Sequence, residues 1–234
     1  MQRSSFEQKI RAAARFWGDD LDLLQTTSSL QSLKVDAEFS KVALAPESSY
    51  RDIYLSAVSR SAYNICLNDH SVLQFSWINK ESWRLAYLPN PWISGVDGAL
   101  QQIETWETLQ TLGRFDEEEV AKLISELPYY GSIPAIRFEY AARQYRELAH
   151  PAGHMHIGRH TENRWPFARA LNPLTFSMFI AKMYYSNQWA ERSNFYHKLN
   201  TDCIDVRFIR ELSYSPEVND FSANERNSLH MGCR

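Results

Sequence analysis

Ser71-Val-Leu-Gln-Phe-Ser-Trp-Ile78 and Trp83-Arg-Leu-Ala-Tyr-Leu88, joined by Asn79-Lys-Glu-Ser82, decide how this chain folds. Both runs are rich in aromatic and β-branched residues, and the polar segment between them marks an antiparallel hairpin. Pro89 and Pro91 end the second run, because proline has no N–H to give to a strand ladder. Further along, Ile136-Arg-Phe-Glu-Tyr140 and His154-Met-His-Ile-Gly158 read as two more strands. Leu33, Val35, Ala37 and Phe39 alternate as a strand would, and Ile204-Asp-Val-Arg-Phe208 is a candidate for the last one.

Helical patterns surround these runs. Ser5, with Gln8 three residues on, opens a helix whose stripe of Phe6, Ile10, Ala13, Ala14 and Trp17 stops at Gly18. Ser48 or Ser49 opens a second, with Tyr50, Ile53, Tyr54, Ala57, Val58 and Ile65 at helical spacing. Asp97 caps a third, through Leu100, Ile103 and Trp106 to Leu112. Asp116 and Glu119 form a capping box for a fourth, Glu117 to Leu127, and its three leading glutamates suit the helix dipole. Asn172 caps and Pro173 begins a strongly apolar helix through Leu174, Phe176, Phe179, Ile180, Met183 and Tyr184. Residues 189–198 continue as helix. Hairpin spacing outweighs strand–helix alternation, so the expected class is α+β. The expectation is one domain over residues 1–214, with a mainly antiparallel or mixed sheet packed by helices. Residues 215–234 form a polar, weakly patterned tail, to be held by the domain surface or by a partner chain.

The composition narrows the classes of function. Apolar residues make up 44% of the 234 and aromatics 13%, too many large core-formers for a disordered chain. The formal net charge of −3 argues against a generally basic nucleic-acid coat, though not against a local basic patch. No run approaches the roughly 20 apolar residues that cross a bilayer. The N-terminus lacks an apolar signal segment, and Cys66, Cys203 and Cys233 lack CxxC spacing, so the expected location is a reducing cytoplasm. Cys66, in an apolar helix, reads as core.

The charge is unevenly spread. From Arg137 to Arg169 there are six arginines (137, 143, 146, 159, 164 and 169), no lysine and three glutamates (139, 147 and 162), a net of +3. Four of the seven histidines, His150, His154, His156 and His160, fall in the same window. Arginine binds phosphate or carboxylate through a planar fork, which makes Arg137, Arg143, Arg159 and Arg164 candidates for holding phosphate or nucleic acid. His154 and His156 lie two apart in a strand and share one face, while Met155 and Ile157 point to the other. That arrangement permits three readings. His154 and His156 are metal ligands, completed by His150, Asp69 or Glu139. Alternatively, one of them is a catalytic acid or base beside arginine-held phosphate. In the third reading the imidazoles are partly buried hydrogen-bonders that fix the Tyr145–Pro151 loop to the sheet. The first implies a divalent metal ion, and the others need no cofactor. No GxxxxGK[ST], GxGxxG, GxSxG or HExxH is present. Trp92, Trp165, Trp189, Tyr184 and Tyr185 read first as interface or core residues and second as platforms for bases.

Asn68-Asp69-His70-Ser71-Val72-Leu73-Gln74-Phe75, Arg137-Phe138-Glu139-Tyr140, the His150-Pro151-x-x-His154-x-His156-Ile157-Gly158 block, Arg164-x-Pro166 and Asn172-Pro173-x-x-Phe176-x-x-Phe179-Ile180 occur in that order. Together they resemble the family of uncharacterised prokaryotic proteins called domain of unknown function 2290. One departure is Trp165, where the family pattern has isoleucine. The resemblance implies a prokaryotic protein and no particular activity; families of this sort accompany mobile elements or anti-phage systems. The leading expectation is an accessory or recognition subunit of a prokaryotic, defence-type system, binding a protein partner, a second copy of itself or nucleic acid through the Arg/His face. The alternative is a small, toxin-like nuclease or ribonuclease acting through His154 and His156.

Overall fold

The computed structural model describes residues 1–92, 99–127, 134–158, 163–193, 203–218 and 222–228. The hairpin forms as strands β3 (Val72–Asn79) and β4 (Ser82–Leu88), with Phe75 opposite Leu85 and Asn79 opposite Ser82. Only Lys80 and Glu81 are left to turn the chain, and the Asn79 side chain accepts from the Glu81 N–H at 2.8 Å to close the turn. Strands β1 (Leu24–Thr27) and β2 (Ile65–Leu67) lie to one side of the hairpin. Strands β5 (Ile136–Ala141), β6 (Gly153–Ile157) and β7 (Trp165–Pro166) lie to the other. Among the described residues the result is one seven-stranded sheet, antiparallel throughout, with its strands in chain order. The class is α+β, as expected.

Alternation assigns the two faces of this sheet. Leu73, Phe75, Leu85, Tyr87, Phe138 and Met155 point to one side and are buried beneath α1 (Arg3–Arg15) and α6 (Pro173–Tyr184). Each such side chain taken fully out of water contributes roughly 1.5–3 kcal/mol. Asn172 starts α6 as a complete cap, accepting from the N–H groups of Leu174 and Thr175 while the Thr175 hydroxyl accepts from its own N–H. Tyr185, just past α6, donates to Asp69 at 2.7 Å and pairs with the Tyr87 hydroxyl at 3.0 Å, tying the helix end to the β2–β3 turn.

A smaller core covers part of the opposite face. Cys66, Val72 and Leu88 meet Tyr54, Ala57, Trp92, Ile103 and Leu127 beneath α3 (Tyr50–Ser59), α4 (Ala99–Thr111) and α5 (Glu117–Glu126). Cys66 is core, as expected, though it lies in strand β2 and not in a helix, and burial pushes its thiol up to about 12. This cluster takes Leu88 from β4, whereas Arg84 in the same row is exposed; the outer face of β5 and β6 carries Arg137, Glu139, His154 and His156.

Several local expectations need correction. The alternation at Leu33–Phe39 is not a strand: Asp36 caps a helix, α2 (Ala37–Leu44), by accepting from Phe39 N–H at 2.8 Å. Four alternating apolar positions are too few to outweigh a cap followed by helix formers. Ile204–Phe208 likewise begins α8 (Ile204–Tyr214), whose inward stripe of Ile204, Phe208 and Leu212 has helical spacing. Helix α1 starts at Arg3 without a side-chain cap, and Phe16–Asp20 continues it as a π-helical turn past Gly18. Helix α3 ends at Ser59, and Ile65 belongs to β2. The Asp116/Glu119 capping box forms as expected. The Asp97 cap lies outside the described residues, as does the end of the 189–198 segment beyond α7 (Ser186–Arg192).

The described part of the tail lies on the domain. Ala170 N–H donates to Pro216 O and Val218 N–H to Ala168 O, both at 2.9 Å, and Val218 is buried. In α9 (Ala223–Ser228), Glu225 is 1% exposed; it accepts from Ser222 N–H at 3.0 Å and from Leu148 N–H at 3.3 Å. The tail therefore holds the loop that leads into β6.

Candidate functional site

Antiparallel register brings the charged residues of β4, β5 and β6 side by side. Arg84 lies opposite Glu139, Glu139 opposite His154, and Arg137 opposite His156. All five occupy the outer face, because their neighbours Leu85, Phe138 and Met155 occupy the core face. The ligand atoms of Glu139, His154 and His156 all lie within 4.8 Å of one another. Arg137 makes an ion pair with Glu139 Oε1 at 2.8 Å, and Arg84 reaches the same oxygen at 3.5 Å.

The cluster is graded in depth. Arg84 and Arg137 form an accessible rim, with side chains 58% and 40% exposed. Glu139 is mostly covered at 15%, and His154 and His156 lie beneath at 0% and 3%. The rings of His154 and His156 meet edge to face at 4.9 Å, and those of His150 and His154 at 4.8 Å.

The protonation state of His154 follows from its surroundings. Its Nδ1 is 2.7 Å from the carbonyl oxygen of Pro151, which can only accept, so Nδ1 carries the hydrogen. Burial disfavours the imidazolium and lowers the pKa, outweighing the Pro151 hydrogen bond and Glu139, which act in the other direction. The ring is a neutral base whose Nε2 lone pair is buried without a hydrogen-bond partner among the described residues. Burial also acts against charge on Glu139, but Arg137 and Arg84 hold its carboxyl below the usual range. Burial lowers Arg137 from the usual arginine value, with Glu139 opposing. It remains a cation.

The sequence-derived candidates divide accordingly. His154, His156, Arg137 and Glu139 are brought together, and His150 stacks on the edge of the cluster. Arg164 joins electrostatically, its charge opposing protonation of both Arg137 and His154. Arg143 is ion-paired at 2.8 Å with Glu81 at the hairpin turn. Asp69 serves the Tyr185 network and is no partner of the histidines. Arg159 and His160 lie outside the described residues. Trp92, Trp189 and Tyr185 are core, and the exposed Trp165 pairs with Met155, which places it on the face opposite the histidines. The reading of the histidines as loop anchors holds for one nitrogen of His154 and leaves the other unexplained.

Arg84 was not among the candidates, yet the sequence carries its signal. It is the outward position between Trp83 and Leu85, in a strand that the hairpin turn places beside β5.

Chemically, the site offers a deep neutral base, a carboxylate beside it and arginines at the mouth. Such a set can hold an anion, move a proton or ligate a cation. No curated protein and no solved structure matches the chain significantly. A family model does, over residues 22–233, and the chain belongs to the family described as uncharacterized conserved protein, DUF2290.

Proposed function

We propose that this protein is a recognition subunit whose outer sheet face takes the phosphate backbone of a nucleic acid. The observation that carries the reading is the convergence of Arg84 and Arg137 on one carboxylate, Glu139, with the Arg164 charge felt by Arg137, in a chain that is acidic as a whole. The surplus positive charge is local and is held in guanidinium forks, which suit phosphate oxygens. Two of the arginines stand at the rim, where a polymer can reach them.

Fluorescence anisotropy with labelled single-stranded RNA, single-stranded DNA and duplex tests this directly. Arg84→Ala combined with Arg137→Gln should weaken binding about tenfold or more and reduce the salt slope by about one per lost phosphate contact. Arg143→Ala, remote from the cluster and already paired with Glu81, should leave affinity unchanged. Equal affinity in the double variant, at an unaltered melting temperature, would overturn the proposal.

A hydrolytic reading is favoured by one further observation, the unsatisfied Nε2 lone pair of His154, a ring with a ligand atom within 4.8 Å of one on Glu139. In that reading His154 removes a proton from an attacking water or ribose 2′-hydroxyl as its oxygen bonds phosphorus, the P–O bond to the leaving sugar oxygen breaks, solvent supplies a proton to that oxygen, and the rim arginines balance charge on the phosphoryl oxygens. Cleavage of the same labelled strands, abolished by His154→Gln, would establish it. Intact strands after prolonged incubation would leave recognition alone.

A further inference from the structure

We propose that Glu139, His154 and His156 form a binding site for a divalent transition-metal ion, zinc in the first instance. The proposal goes beyond nucleic-acid recognition and does not depend on it. Three observations converge. First, two imidazoles and a carboxylate from adjacent strands offer ligand atoms within 4.8 Å of one another, close enough for small side-chain movements to bring them to the roughly 3.4 Å separation of tetrahedral zinc ligands. Second, His154 is fully buried and its Nε2 has no hydrogen-bond partner among the described residues. A buried acceptor left unsatisfied is costly, and a metal ion removes that cost. Third, the other nitrogen of the ring donates to the Pro151 carbonyl at 2.7 Å. That outer hydrogen bond, typical of metal-ligating histidines, fixes tautomer and ring orientation together.

The donor set selects the class of ion. Two neutral nitrogens and one carboxylate suit zinc, ferrous iron or manganese better than calcium or magnesium, which favour all-oxygen shells. The arginines oppose a cation, but both ion pairs run to Oε1, and a carboxylate has a second oxygen with which to ligate. They also orient Glu139, as outer partners of a ligating carboxylate do. Three protein ligands leave at least one coordination position for water or an anionic group.

The test uses the full chain, stripped with chelator and titrated with Zn2+ by calorimetry and with Co2+ by visible absorption. The wild type should bind one ion per chain, and Co2+ should give the d–d bands of a nitrogen/oxygen site with few ligands. His154→Gln and His156→Gln should each weaken binding beyond the roughly 10–100-fold expected for losing an outer partner. Glu139→Gln should weaken it as well, and His70→Gln, at the separate His70–Glu104 contact, should not. If the histidine variants fail to fold, 15N NMR of the wild type decides: Zn2+ must shift His154 Nε2 and leave its Nδ1–H in place. An unmoved Nε2, no wild-type binding, or undiminished binding in folded His154→Gln/His156→Gln would overturn the site. Oligonucleotide binding by metal-free protein, measured on the same samples, separates the two proposals. It can fail while zinc binds, or persist when zinc does not.

Discussion

His154 combines two roles on one ring, an anchored Nδ1 and an unsatisfied Nε2. Its protonation makes a stability prediction. The folded ring is harder to protonate than the unfolded one, because burial lowers its pKa, so its contribution is present at neutral pH and is lost as pH falls below the ordinary imidazole value of about 6.5. Glu139 has the same sign at lower pH: its folded carboxyl is held below the usual range, and its contribution is lost as acid titrates it. Urea titrations from pH 8 to pH 4 should show stability declining in two stages, with the upper stage absent in His154→Gln. A flat profile between pH 7 and pH 5 would contradict the assignment. At this scale the sequence was informative where parity decides: residues two apart in a strand share a face, which pairs His154 with His156 and Arg137 with Glu139. It was uninformative where partners come from distant segments. Asp69 was as plausible a third ligand as Glu139 until the sheet order put β5 beside β6 and gave Asp69 to Tyr185.

Among the elements, β6 depends on close approach at its first residue. A Cβ on Gly153 would lie 3.1 Å from Val218 Cγ2 and 3.2 Å from the backbone oxygen of Phe167, which cannot turn aside. Gly153→Ala should therefore destabilise by about 1–3 kcal/mol, the usual cost of overpacking, measured by urea unfolding. Glu225→Gln removes a buried carboxylate that two backbone N–H groups share, and should cost roughly 1–2 kcal/mol with faster amide exchange at Leu148. Unchanged exchange at Leu148 would mean that α9 does not hold the loop. Elements with local signals were legible: Asn172 with Thr175 and Asp116 with Glu119 satisfy their own helix starts within three residues. Leu33–Phe39 and Ile204–Phe208 were misread because short alternation also fits a helix whose partner surface is far away in sequence. Ile204 and Phe208 pack into a core shared with α1 and α6.

On the scale of the whole molecule, the α+β class was legible from hairpin spacing. The order of strands was not, because α4 and α5 separate β4 from β5, which then return as neighbours. Nor does a polar tail advertise that Val218 will seal β6. A chain ended after Tyr214 should lose the Ala170–Pro216 and Val218–Ala168 hydrogen bonds, with a fall in melting temperature of at least about 4 °C at roughly 2–4 °C per kcal/mol for a chain of this size. No described helix is long and apolar enough to cross a membrane. The most direct test is 15N NMR of the imidazoles at neutral pH, before and after adding a short single-stranded RNA. The predicted result is a neutral His154 with its hydrogen on Nδ1 and resonances that shift with RNA, a response lost in Arg84→Ala/Arg137→Gln. A charged His154, an Nε2–H tautomer, or resonances that RNA leaves in place would contradict it.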